Sequence, residues 1–208
     1  CTFLPRIATN MTVLEQTGMC PLQFAGGTRS GASILSSSLS HLVHSSPNPG
    51  LTCNDYKSCF NLMDRDGTAD GIRASPCCPL LPYFGLQYDA ASALVLDPAV
   101  GPAHHNGQAT SSTTGLRQGA GASMVNCALG LHPVLLQSSA WHPTVLFEAY
   151  ADDAHAFHGS CPRAAYEGNE DMQLYADEYL NLTSVASKGG FYAPLAPDSE
   201  LDAFLPAS

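Results

Sequence analysis

Four oxygen-bearing side chains lie at alternate positions of one short segment. Asp64, Asp66, Thr68 and Asp70 are each two residues apart, and Ile72 continues the spacing. Calcium prefers six to eight oxygen ligands, and a tight loop with this spacing brings alternate residues to one point. Three aspartates so close together would otherwise repel one another. The segment therefore predicts a structural calcium site.

The residues from Tyr56 to Ile72 resemble the entering helix and acidic loop of an EF-hand. They depart from that family at two loop positions, because Ala69 stands where it has glycine and Ser75 where it has a bidentate glutamate. The resemblance implies calcium as a structural ion rather than as a signal. The alternative interpretation is a turn rich in aspartate and glycine that leads into Cys77 and Cys78.

Histidines at a spacing of three residues are the next candidates for chemistry. His41 and His44 form one such pair, and His155 and His158 form another. On a helix, residues three apart lie on the same side and could share a metal ion. Neither pair has an adjacent glutamate of the kind that metalloproteases use. Ordinary histidines on the polar sides of helices are the alternative.

Some segments are similar to parts of plant-type haem peroxidases, with His44 in the place of the distal histidine. The similar segments are Leu94–Val100, Phe147–Phe157 and Tyr175–Leu182. This resemblance implies a helical, secreted oxidase whose haem or other metal would be bound through His44, His155 or His158. Ser40 stands where the family has its distal arginine, and no motif for the proximal histidine is present.

Other catalytic signatures are missing or ambiguous. The stretch Gly121–Val125 lacks the second glycine of a nucleophile elbow. Asp152 with Asp153, and Glu170 with Asp171, are acid pairs of the type that a glycosidase uses. Carboxylates near helix ends more often act as caps or remain solvated. The sequence therefore predicts a binding or structural protein rather than an enzyme.

The cysteines predict the compartment. A chain with an even number of widely spaced cysteines and no C-x-x-C pair is typical of disulfide-bonded proteins and not of zinc sites. Four disulfides would place the protein outside the cell or in a lumen, and their pairing is left open. The predicted disulfide residues are Cys1, Cys20, Cys53, Cys59, Cys77, Cys78, Cys127 and Cys161.

The charge and the surface composition limit the kinds of partner that the protein is expected to bind. The net charge is −10, and charged residues make up 12% of the chain. An acidic chain of this kind is an unfavourable partner for nucleic acid. A surface of small polar residues suits glycosylation or burial in an assembly, and two sequons begin at Asn10 and Asn181. No apolar run is long enough to cross a membrane.

Apolar residues repeat at helical spacing in several places, and no clear alternating strand is found. The predicted fold is mainly α and disulfide-rich, with long irregular loops, in a single domain over 1–208. A loop over 101–122 is a possible internal boundary. The helices are predicted at Pro5–Gln16, Ser33–Ser46, Phe84–Val95, Pro143–His158 and Asn169–Lys188.

These observations together predict an extracellular or lumenal protein that is stabilised by disulfides and works with protein partners in an assembly. It would carry at most a structural calcium ion. The alternative is a secreted oxidase that depends on haem or another metal.

Overall fold

A computed structural model describes residues 22–25, 30–88, 92–94, 110–117 and 122–196. Within these ranges the chain alternates helices with short strands, so the fold is α/β. The elements in chain order are α1 (Gly31–Ser45), β1 (Gly50–Asp55), α2 (Cys59–Leu62), α3 (Arg65–Ala74), a 3-10 turn (Cys78–Leu80), α4 (Leu81–Tyr88), β2 (Ser92–Leu94), β3 (Thr110–Ser112), α5 (Ser123–Trp141), β4 (Leu146–Tyr150), β5 (Asp153–His158), α6 (Pro162–Leu180) and β6 (Gly190–Tyr192).

Four strands form an antiparallel sheet in the order β4-β5-β1-β6. The central strand β1 pairs along its whole length with β5, from Gly50 opposite His158 to Asp55 opposite Asp153. On its other side β1 pairs with β6, which places Leu51 opposite Tyr192. The strands β2 and β3 form a separate two-stranded ribbon.

One face of the sheet is covered by helices. Side chains alternate between the two faces of a strand, so every second residue points to the same side. The residues that point to the covered face are all buried: Thr52, Asn54, Phe147, Ala149, Ala154 and Ala156. Helix α6 packs against β1 and β5, and α5 packs against β4, α3 and α6. The main hydrophobic core lies between these elements.

The opposite face of the sheet, here called the open face, is covered only at one end within the described residues. There Leu35 and Leu39 of α1 pack against Phe157, with Leu51 and Leu146 beside them. These leucines are four residues apart and lie on the same side of the helix. The predicted helix over 33–46 is therefore confirmed as α1.

The segment predicted as a calcium loop is a capped helix. Asp64 is the N-cap of α3, and its side chain accepts a hydrogen bond from the Gly67 N–H at 2.8 Å. A Cβ at Gly67 would lie 2.6 Å from the Tyr179 carbonyl oxygen, and one at Gly71 would strike the Leu129 carbonyl. The two glycines, four residues apart, therefore let α3 approach α6 and α5 closely, and they do not shape a loop.

The prediction of a mainly α, disulfide-rich fold is wrong. The predicted helix over 143–158 is instead the hairpin of β4 and β5, and the last helix runs from Pro162 to Leu180 rather than from Asn169 to Lys188. The six cysteines that the structure describes are free thiols, and the sulfur atoms of Cys59 and Cys127 lie 3.8 Å apart without a bond. Buried thiols pack here as small apolar side chains.

Several predictions fall wholly or mostly on residues that the structure does not describe. They are the helix at Pro5–Gln16, Cys1, Cys20, Asn10 and most of the possible boundary at 101–122. Among the described helices, none is both long enough and apolar enough to cross a membrane.

Candidate active site

Two adjacent strands and the turn before one of them carry three aspartates at the end of the open face that α1 leaves uncovered. Asp55 is the last residue of β1, and Asp153 of β5 is its direct partner in the sheet. Asp152 precedes Asp153 in the tight turn between β4 and β5. Directly paired residues have Cβ atoms about 5 Å apart. We call Asp55, Asp152 and Asp153 the acidic row.

The electrostatics of the acidic row favour a bound cation. Partial burial raises the pKa of Asp153, and the charges of Asp152 and Asp55 raise it further. Three like charges side by side are unfavourable unless a positive charge offsets them. No three described His, Cys, Asp or Glu side chains converge on one point, so the carboxylates of the acidic row are neighbours along the sheet edge and not a preformed ligand set.

Lys188 supplies a positive charge at this end of the sheet. Its Nζ lies 2.6 Å from Oδ2 of Asp55. The turn that carries Lys188 is held to β1, because the Val185 N–H donates to the Asp55 carbonyl at 2.9 Å. Within the turn, the Gly189 N–H donates to the Val185 carbonyl at 3.0 Å. The hydrogen bond to Asp55, followed by the charges of the acidic row, raises the pKa of Lys188. Lys188 is therefore protonated at neutral pH.

A groove of about 370 Å³ begins beside Asp153 and runs between the open face and α1. This volume is within the range of small-molecule sites. Its floor is apolar and its rim carries hydroxyl, carboxylate and imidazole groups. The lining residues are Ala32, Leu35, Ser36, Leu39, Ser40, Leu51, Tyr150, Asp153 and His155. The groove therefore places an apolar surface and polar groups next to the acidic row.

A second row of titratable groups lies one step further along the open face. The sheet pairs His155 with Cys53 on one side and with Glu148 on the other. Burial lowers the pKa of His155 and raises that of Glu148. The His155 Nδ1 and a Glu148 Oε2 are buried without a hydrogen-bond partner among the described residues. Burial thus favours the neutral form of both groups.

The strand that carries Asp55 is anchored on its covered face by amide side chains. Asn54 donates to the Asn169 side chain of α6, and Gln173 of α6 donates to Asn54 Oδ1 at 2.7 Å. Asn54 and Asn169 are buried. A buried amide that lost these partners would be costly, so the three amides hold the end of β1 to α6.

The residues of the predicted calcium site do not converge. Thr68 is buried, and its hydroxyl donates to the Asp64 carbonyl at 2.6 Å. Asp70 forms an ion pair with Arg73 on the surface of α3, and Ile72 is part of the core. Asp66 lies in the first turn of the same helix. Calcium binding by this segment stays a prediction, but the loop on which it rested is a helix.

The histidines of the predicted haem or metal site are also separate. His44 is exposed on α1, where its Nδ1 lies 2.6 Å from the Ser40 carbonyl. His158 Nδ1 accepts the N–H groups of Ser160 and Cys161 at 3.1 and 2.9 Å. His155 lines the groove. These contacts engage Nδ1 of His44 and of His158 with backbone groups nearby, and metal or haem binding by the three histidines stays a prediction.

Asp55 and Lys188 are not among the residues predicted from the sequence, and Asp152 and Asp153 were interpreted there as carboxylates near a helix end. A signal was nevertheless present. Apolar core residues keep a spacing of two on both sides of the pair, with Phe147 and Ala149 before it and Ala154 and Ala156 after it. Period-two segments around a short turn are typical of a hairpin, and such a turn would present both carboxylates at the edge of the sheet.

No protein-family model and no curated protein matches the chain. Solved structures do share its fold. Apo telomerase from Candida tropicalis, truncated from the C-terminal domain, matches 93% of this chain with a TM-score of 0.65 and 11% identity. Telomerase from Candida albicans in complex with a TWJ fragment of telomeric RNA matches 94% of it with a TM-score of 0.57 and 10% identity. The chain spans 40% and 35% of those two telomerase chains.

These findings correct the predicted function and compartment. The interpretations as an extracellular or lumenal disulfide-stabilised protein and as a secreted oxidase are wrong, since the chain shares its fold with part of telomerase and the described cysteines are free. The prediction of a secreted glycoprotein fails with them, although Asn181 is exposed at the end of α6. The predicted partners in an assembly are in line with the complex that Candida albicans telomerase forms with an RNA fragment.

Proposed function

We propose that this chain is the catalytic part of a reverse-transcriptase-like polymerase, related in fold to telomerase, that adds nucleotides to a nucleic acid strand. The observation that carries the proposal is the acidic row at the uncovered end of the open face. A fold shared with telomerase supports it, but a fold alone does not define a function. The evidence for function therefore comes from the carboxylates, because they are chemical groups that can take part in a reaction.

The acidic row fits divalent metal ions such as Mg²⁺. Magnesium prefers carboxylate oxygens and substrate phosphates as ligands, and Asp55, Asp152 and Asp153 provide the carboxylates. Bound there, such ions would neutralise phosphate charge and stabilise the attacking and leaving oxygens of a phosphoryl transfer. Asp55 is fixed by β1 and the amides behind it, and the other two aspartates are fixed by the hairpin turn.

Other residues of the site act on the substrate's charge and position. Lys188 keeps a positive charge beside Asp55, where it can offset the negative charge of a triphosphate. The groove between the open face and α1 would hold the nucleoside end of a nucleotide against an apolar floor, beside Asp153. A chain with a net charge of −10 repels nucleic acid, so the metal ions would also make the strand's approach to the acidic row favourable.

Primer extension tests this proposal. A labelled DNA primer annealed to an RNA or a DNA template is incubated with the protein, deoxynucleotides and Mg²⁺ or Mn²⁺. We expect extension on the RNA template, and we expect Asp153→Asn to reduce it by about a hundredfold or more, because a carboxylate that holds the metal ions is lost.

The matched control is Asp171→Asn, which makes the same chemical change on α6, where Asp171 pairs with His142 at 2.8 Å. It should extend the primer as the unmodified protein does. The proposal is refuted if no template supports incorporation with either metal ion, or if Asp153→Asn retains the rate of the control.

A further inference from the structure

The segment Leu22–Ala25 runs beside β4 at the edge of the sheet. The Phe24 N–H donates to the Ala149 carbonyl at 2.8 Å, and the Ala149 N–H donates to the Leu22 carbonyl at 2.7 Å. Between these bonds lies Gln23, whose side chain is completely buried. A buried glutamine must have partners for its carbonyl and its amide group, since an unpaired polar group is costly to bury.

The partners of Gln23 are the backbone groups of one residue, Ala151. The Gln23 Oε1 accepts the Ala151 N–H at 2.9 Å, and the Gln23 Nε2 donates to the Ala151 carbonyl at 3.3 Å. Oε1 also accepts the Ala25 N–H at 3.2 Å, which fixes the carboxamide within its own segment. One side chain therefore holds both sides of a single backbone position that lies 128 residues further along the chain.

Ala151 has a φ of 57°, in the left-handed region that residues with a Cβ rarely adopt. Such a conformation persists only where surrounding contacts enforce it. Ala151 immediately precedes Asp152 and Asp153, so its backbone angles set the direction in which both carboxylates leave the hairpin. The two-residue turn between the paired Tyr150 and Asp153 favours this conformation, and the contacts of Gln23 hold both backbone groups of Ala151 in it.

We propose that Gln23 is a positioning residue for the acidic row: by holding both backbone groups of Ala151, it fixes the direction of Asp152 and Asp153. The catalytic consequence rests on the proposed function. The control of the Ala151 backbone does not, and it has a separate measurement. Gln23 touches neither aspartate and acts through Ala151.

Gln23→Met tests the inference because methionine keeps the length of the side chain and removes all three hydrogen bonds. Thr52→Val is the matched control. The buried Thr52 hydroxyl also holds both backbone groups of one residue, donating to the Ala156 carbonyl at 3.3 Å and accepting the Ala156 N–H at 3.2 Å. It does so inside the sheet, away from the turn. Both variants lose hydrogen bonds between a side chain and the two backbone groups of one residue. Only Gln23→Met loses them next to Asp152 and Asp153.

Three measurements are compared in the two variants. Amide hydrogen exchange of Ala151, followed by NMR, should become at least about tenfold faster in Gln23→Met and stay unchanged in Thr52→Val. The affinity for Mn²⁺ alone should fall about tenfold to a hundredfold in Gln23→Met, as for lost outer-shell partners of metal ligands. In primer extension, kcat should fall by a similar factor with KM for the nucleotide nearly unchanged.

Equal losses of Mn²⁺ affinity in the two variants, or slow Ala151 exchange in Gln23→Met, would overturn the inference. If Gln23→Met does not fold, Gln23→Asn replaces it, because it keeps the amide and is one methylene too short to hold both groups of Ala151. The same faster exchange is then expected, and slow exchange overturns the inference. Failure of the polymerase proposal would appear differently, as absent incorporation in the unmodified protein while the exchange result still stands.

Discussion

Replacement of Gly71 by alanine tests whether the segment from Asp64 to Ile72 is a packed helix or a calcium loop. In an exposed helix interior, alanine in place of glycine stabilises by about 1 kcal/mol. At Gly71 a Cβ would lie 3.0 Å from the carbonyl carbon of Leu129 and 3.2 Å from the Gly130 Cα, with the Leu129 oxygen closer still. These are backbone atoms, so α3 would have to move away from α5.

Overpacking of a core destabilises a protein by about 1–3 kcal/mol. We expect the upper value at Gly71, because the atoms that the new Cβ meets belong to the backbone. After subtraction of the gain in helix propensity, we expect Gly71→Ala to lower the free energy of unfolding by about 2 kcal/mol. In a chain of this size such a loss corresponds to a fall in Tm of about 4–8 °C. Urea unfolding followed by circular dichroism measures the loss.

Gly130→Ala is the control, because its Cβ would meet side-chain atoms that can move, Met63 Sδ and Thr68 Oγ1, both at 3.1 Å. Its loss should be smaller. The measurements are made with calcium and with a chelator. Stabilisation by Gly71→Ala, or a loss that disappears when calcium is removed, would show that the segment is not the packed helix described above.

Two further predictions concern the acidic row and the thiols. Lys188 lowers the pKa of Asp153, so Lys188→Met should raise that pKa further. The proposed binding of Mn²⁺ requires the ionised carboxyl, so Mn²⁺ binding by the variant should be lost at a higher pH than Mn²⁺ binding by the unmodified protein. Titration calorimetry at several pH values measures the difference. The hydrogen bond with Cys127, followed by burial, raises the pKa of Cys59, and both thiols are buried. Both should therefore resist iodoacetamide in the folded protein and react with it after unfolding without reductant. A disulfide-linked peptide that contains both cysteines would contradict the free thiols.

Helices with a long amphipathic pattern could be predicted from the sequence. The leucines of α1 and the buried Met172 and Ala176 of α6 lie on the predicted faces. In both helices the pattern extends over several turns, and it is local, so no partner segment has to be known. The start of α6 was missed although Pro162 is favourable at a first helical position.

The hairpin of β4 and β5 could not be separated from a helix by its apolar residues alone. Leu146, Tyr150, Ala154 and Phe157 follow a helical spacing, whereas the residues that face the core in this part of the chain include Phe147 and alanines on alternate positions. Alanine is depleted in strands, so the period of two is weak here. Tertiary packing on α5 and α6, and not local preference, makes this segment extended.

The place of Asp55 beside the hairpin's pair of aspartates could not be predicted for a related reason. Asp55 and Asp153 are partners because β1 lies beside β5, and strand order is a property of the whole fold. The cysteine count was also misleading. Buried thiols such as Cys59, Cys77 and Cys127 fill space in a core as small apolar groups, so an even number of them does not require bridges.

The central place of β1 in the sheet has a consequence for the order of folding. Both of its neighbours, β5 and β6, come late in the chain, and the bond between Thr52 and Ala156 spans 104 residues. During synthesis the two edges of β1 therefore stay unpaired until the second half of the chain has emerged, and unpaired strand edges are sites of aggregation. A chain with so many non-local pairings folds slowly. The acidic row is completed last, so a truncated or stalled product would carry Asp55 without Asp152 and Asp153.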